Sequence, residues 1–210
     1  MFDIYQAVTW TGCRLGLLSI VMNDGASFKL YFKLQRGLIC GMISLFGLLC
    51  IVSNIQNIHM PYTVCLHALH KVFIPYLVSD MVIEVFSLWK FDTPLRIELF
   101  IHHCVVIIVI WMLGAKPDHI IVQYAAIMLS GEMITVWSAF HIFFIRYKYL
   151  LAAKMCRILR LLTFTFLRTP LWFILMQTAF RVKAPTSSIV LIQSLTLLDG
   201  FWIKSALIGI

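Results

Sequence analysis

Charge is scarce in this 210-residue chain: Asp, Glu, Lys and Arg make up 12% of it, against 61% hydrophobic residues. Soluble domains carry roughly 25% charged residues, so an ordinary water-facing domain is excluded, and the composition is that of a protein crossing the bilayer several times. Acidic residues are the scarcest, nine against 17 basic ones, for a net charge of +8. In a soluble chain that excess would suggest nucleic acid. Here the basic residues fall between apolar segments, the pattern of positive-inside topology and contact with anionic lipid, so no nucleic-acid partner is expected. The six cysteines form no C-x-x-C pair, and most lie in apolar runs, where a free thiol behaves as a small hydrophobe. Neither a disulfide framework nor a zinc site is indicated. The opening "MFDIYQAVTW" has no basic n-region, so no cleaved signal peptide is expected, and neither an internal repeat nor a low-complexity linker is visible.

Long apolar runs, by contrast, are abundant. A spanning helix needs about 20 mostly apolar residues, and six stretches qualify: 37–55, 72–89, 98–114, 119–145, 158–180 and 186–208. A seventh, 4–22, is interrupted by Gln6 and Arg14 and either spans or lies at the interface. The expected organisation is an N-terminal helix and basic loop over 1–36, then one membrane domain over 37–210. Pro75 falls in the first turn of its helix, a tolerated place, whereas Pro170 lies inside the 158–180 segment and should kink it. Three loops hold Lys29, Lys33, Arg36, Lys90, Arg96, Arg146, Lys148, Lys154 and Arg157; the opposite loops hold Lys71, Lys116, Arg181 and Lys183. Nine against four makes the first set cytosolic, and the C-terminus with it.

Ionisable residues inside spanning helices are costly and persist where they face a protein interior or a cavity. This chain places Asp80, Glu84, His102, His103, Glu132, His141, Arg168 and Asp199 in such positions. Asp80 and Glu84, four residues apart, share a helix face; the adjacent His102 and His103 point about 100° apart. Helical rise brings most of these groups to similar depths, so one polar cavity in the central and cytosolic part of the bundle is expected. Structural pairing is the competing account, with Arg168 held by Asp80, Glu132 or Asp199, and His141, near a helix end, reads as structural. Only His67 and His70 among the seven histidines show an i, i+3 spacing, too few ligands for a metal centre.

Taken in order, these motifs resemble the TLC-domain proteins, the family that includes the ceramide synthases, the translocating-chain-associating membrane protein (TRAM) and smaller lipid-linked members. "YLVSDMV" (Tyr76, Asp80), "ELFIHHCVVII" (His102, His103), "MLSGEMITVWSAF" (Glu132, Thr135), "FLRTP" (Arg168, Pro170) and "LLDGFWIK" (Asp199, Trp202) look like successive family segments. The resemblance implies an all-α integral membrane fold, a barrel-like bundle of six transmembrane helices with an extra N-terminal helix in many members. It also implies residence in the endoplasmic reticulum or a connected membrane. Lipid is the implied partner (a phospholipid, a sphingoid base or acyl-CoA), with homodimerisation left open and no cofactor beyond acyl-CoA as a co-substrate.

In ceramide synthases the paired histidines belong to the acyl-transfer site, and imidazole suits proton transfer or attack on an acyl group. Carried over, His102, His103, Asp80 and Glu132 are the catalytic candidates, with Tyr76, Glu84, Arg168, Asp199 and Trp202 lining a lipid cavity. The chain departs from the ceramide synthases where a further His-Asp-x-x-Asp run is expected, since Leu129, Ser130 and Glu132 stand there. Two readings result: a protein that binds lipid and regulates membrane lipid composition without turnover, and a lipid acyl- or headgroup-transferase using the double histidine.

Overall fold

A computed structural model describes residues 4–21, 24–55, 67–114 and 126–181, with isolated positions outside these stretches. Its main elements are α1 (Ile4–Leu18), α2 (Gly25–Ile55), α3 (Ile74–Phe91), α4 (Ile97–Gly114), α5 (Met133–Arg146), α6 (Leu150–Thr163) and α7 (Thr169–Arg181). Gly25–Ser53, Leu69–Phe91 and Ala126–Arg146 are long and apolar enough to cross a membrane, and Ile97–Trp111 is a shorter apolar helix. Composition predicts six such spans; among the described residues three meet the criterion. The 158–180 stretch is helical, but Arg160 and Arg168 dilute its apolar character. Of the 186–208 stretch only scattered positions, Ile189, Val190 and Ile192 among them, are described, and these are helical; Asp199 and Trp202 lie outside the described residues.

The basic segment 23–36, read from sequence as a loop, is helical from Gly25 onward. Asp24 starts that helix. Its carboxylate accepts from the Ala26 and Ser27 amides at 3.1 and 2.9 Å and from the Ser27 hydroxyl at 2.7 Å, satisfying N-terminal donors that have no partner in the helix. The same bonds, led by the Ser27 hydroxyl, hold the Asp24 carboxyl below its ordinary 3.8. No proline interrupts the 25–55 stretch, and Phe28 and Phe32, one turn apart, are buried. At 31 residues α2 is about 46 Å long, well beyond the roughly 30 Å hydrocarbon layer. The apolar run begins a dozen residues after the cap, so hydropathy alone misplaces the start of the helix.

Small residues on one face of α2 let it approach α5 closely. A Cβ added at Gly37 would lie 2.5 Å from Ala139 Cβ, and one at Gly47 would lie 2.6 Å from the Ser130 amide nitrogen and 2.7 Å from the Ala126 carbonyl oxygen. Between them the Ser44 hydroxyl donates to the Leu129 and Ser130 carbonyls at 3.1 and 3.3 Å. Close backbone contact with hydroxyl bridging is how helices associate where no hydrophobic drive operates between them. The opposite side of α2 exposes Leu38, Met42, Leu45 and Leu49, a stripe suited to lipid tails. The main core joins Cys50, Phe73, Leu77, Val109, Ile110 and Leu129.

Two π-turns, Leu69–Phe73 and Phe164–Arg168, precede α3 and α7. Each begins six residues before a proline, Pro75 and Pro170. Proline has no amide to donate and its ring crowds the carbonyl four residues back. The preceding turn therefore widens, and Ile74 and Thr169 donate to the carbonyls five residues earlier, Leu69 and Phe164. Pro75 does stand in the first turn of α3. The irregularity expected from Pro170 takes the form of this widened turn.

Candidate functional site

The charged residues of α1 to α4 form a ladder. Asp80, in the middle of α3, is fully buried. Its Oδ1 accepts from Arg14 Nη2 at 2.8 Å, and its Oδ2 lies 2.5 Å from Arg36 Nη2. Arg36 Nη2 also reaches Glu84 Oε1 at 2.9 Å, and Arg96, just before α4, pairs with the same Glu84 oxygen. Arg14 is further held by Ser79 Oγ at 3.2 Å and Gln35 Oε1 at 3.0 Å. Its guanidinium stacks over Phe32 and Tyr76, at 5.3 and 5.1 Å from the ring centroids. The shared face of Asp80 and Glu84 is thus occupied by Arg36, which spans both carboxylates.

Beside this ladder lies a cavity of about 280 Å³, bounded by α2 to α6 and the second π-turn. His102 and His103 both line it, their ring centroids 5.8 Å apart. His103 Nε2 lies 3.8 Å from Asp80 Oδ2, beyond hydrogen-bond reach. Tyr76, Glu132 and Arg168 complete the part of the wall foreseen from sequence. Cys40 ties two of these together: its Sγ is 3.1 Å from the Tyr76 hydroxyl, and its thiol donates to Glu132 Oε2 at 3.6 Å. Arg168 Nη1 donates to the Gly131 carbonyl at 3.1 Å. A void of about 20 Å³ adjoins, sharing His102, Glu132 and Arg168, room for about one water.

Several expectations change. Asp80 and Glu84 do not face the cavity; they stand behind it and act through Arg36 and Arg96. Both histidines reach the cavity although they point about 100° apart on the helix. Asp80, a candidate partner for Arg168, is held by Arg14 and Arg36. Glu132 forms a one-residue turn between the helical stretch 126–131 and α5. His141 is structural, its Nδ1 lying 2.9 Å from the Ala153 carbonyl and joining α5 to α6.

Sequence reasoning missed Arg14, Arg36 and Arg96 as site residues, having counted the last two as loop charge and the first as an interruption. Lys33, Arg160 and Ser138 of the wall were missed too. A signal existed for Arg36: it falls one turn after the aromatic Phe32 and one turn before Cys40, on a single helix face.

No protein-family model, no curated protein and no solved structure matches the chain. The likeness to the TLC-domain proteins therefore rests on the five motifs.

Proposed function

We propose that this is a multi-pass membrane protein of the TLC type that binds a lipid by its headgroup in the charged cavity and thereby regulates membrane lipid composition. The observation carrying this reading is a charged, histidine-lined cavity of about 280 Å³ inside a bundle whose outer surface is apolar. Pockets that enclose a whole drug-sized ligand run roughly 300–1,000 Å³, so a headgroup fits and acyl tails stay outside among membrane lipids. In this reading the full protein has six spans, resides in the endoplasmic reticulum or a connected membrane, and keeps its basic loops and C-terminus in the cytosol.

The test is native mass spectrometry of the purified protein beside Ser138→Phe, which fills the cavity from α5. The parent should carry one lipid per chain, and Ser138→Phe should lose it while unfolding at the temperature of the delipidated parent. Lipid retained by Ser138→Phe would place the binding elsewhere and end the proposal. A second reading, acyl or headgroup transfer, is favoured by the presence of both imidazoles on the wall. It ranks lower because Asp80, the carboxylate nearest His103, is already engaged by two guanidiniums and is too distant to orient the ring. A covalent acyl adduct on His102 or His103 would reverse that order.

A further inference from the structure

The cavity wall is unevenly charged. Lys33, Arg36, Arg96, Arg160 and Arg168 line it, against Glu98 and Glu132. Adding the residues behind the wall, Arg14 with Asp80 and Glu84, leaves six cations against four carboxylates among the described residues. The carboxylate side is weaker than the count implies, because Glu98 is exposed to the outside. On the cationic side, Lys33 and Arg160 have no ion-pair partner among the described residues. The Nε atoms of Arg36, Arg96 and Arg160 are buried with no hydrogen-bond acceptor. Three guanidiniums, from α2, the α3–α4 connection and α6, thus converge on one wall of the cavity.

Depth narrows the source of the missing anion. If the hydrocarbon layer begins near residue 37, as the apolar run indicates, Lys33 and Arg36 lie within about 6 Å outside it. That is the layer of lipid headgroups. We infer that the cavity selects a lipid bearing a phosphate group, drawn from the leaflet on the side of the basic loops. Phosphate suits the wall better than a carboxylate does. It offers more acceptor oxygens and more charge, and guanidinium forks bind it through paired hydrogen bonds. Lys33 supplies a mobile point charge from α2, and Arg160 a guanidinium from α6. The inference rests on the reading that the cavity holds lipid, and it adds which lipids are accepted.

The experiment tracks the unfolding temperature of the full chain in neutral detergent, titrated with dioctanoyl phosphatidate, dioctanoylglycerol or inorganic phosphate. Phosphatidate should raise the unfolding temperature saturably, and the other two should not. Arg160→Gln and Lys33→Gln, which break no ion pair, should each keep the unliganded unfolding temperature. Each should weaken the phosphatidate titration about tenfold, equivalent to about 1.4 kcal/mol. An equal response to dioctanoylglycerol overturns phosphate selection but leaves lipid binding intact. An equal response to inorganic phosphate overturns the lipid source and assigns the site to a soluble anion. Unchanged titrations in both variants overturn the residues' role, and no response to any lipid overturns the lipid reading itself.

Discussion

Replacing Asp80 with leucine should be among the most damaging single changes in the protein, and worse than replacing its partner Arg14. The ladder holds three guanidiniums and two carboxylates, all linked within 2.9 Å or closer. Asp80→Leu leaves three cations, two of them buried, facing Glu84 alone, raising the local excess from one charge to two. Arg14→Leu leaves two cations facing two carboxylates, an even balance. Breaking a buried pair from one side typically costs about 3–5 kcal/mol. Asp80→Leu should fall in or above that range, because Arg14 loses its only carboxylate and Arg36 one of two. Arg14→Leu should cost less, about 3 kcal/mol or below, since Asp80 keeps Arg36. The double variant should be less harmful than the sum, by about 0.5–3 kcal/mol, because the second substitution removes the charge that the first leaves exposed. Thermal unfolding in detergent of the four proteins closes the cycle. Additive losses, or a greater loss from Arg14→Leu than from Asp80→Leu, would refute the ladder as the source of stability.

Gly37→Ala should destabilise by about 1–3 kcal/mol through overpacking against Ala139, and Ala139→Gly in the same chain should restore most of it. Gly47→Ala meets backbone atoms of residues 126 and 130, so trimming Leu129 to alanine should not rescue it; melting temperatures of the paired variants decide both cases. Because Asp24 titrates lower in the fold than its ordinary 3.8, its stabilisation is complete above that value and is lost as pH falls through the lower folded value. Asp24→Asn should keep the cap and remove this part of the acid sensitivity, a difference visible in acid unfolding curves. A glycosylation acceptor inserted beside Lys148 should stay unmodified in microsomes, and one beside Lys116 should be modified; the reverse pattern would invert the proposed orientation.

The residues whose chemistry is costly in a membrane were legible in the sequence. Asp80, His102, His103, Glu132 and Arg168 stand out because apolar surroundings make any ionisable group conspicuous. Their partners were not, for a geometric reason. Arg36 and Arg96 lie near the ends of apolar runs, where a cation is ordinary, and only the rotation of α2 and the short α3–α4 connection turn them inward. The start of α2 was misplaced because hydropathy marks the hydrocarbon layer, whereas a helix stops where its capping does. The π-turns arise from Pro75 and Pro170, but a missing amide predicts only that something must give. Whether the backbone bends or takes in an extra residue depends on packing of Phe73 and Phe164, which no local pattern encodes.

The bond between Arg14 and Asp80 also has a history in time. The two residues are 66 positions apart, so at synthesis rates of about 5–20 residues per second the arginine precedes its carboxylate by roughly 3–13 s. During that interval α1 carries an uncompensated guanidinium on a helix of 15 residues, too short to cross the hydrocarbon comfortably. An isolated segment of that kind stays at the membrane surface with its charge in water. Only when α3 arrives does α1 acquire a reason to leave the surface. Although α1 is made before α3 it settles only after it, and its docking reports that Asp80 is in place.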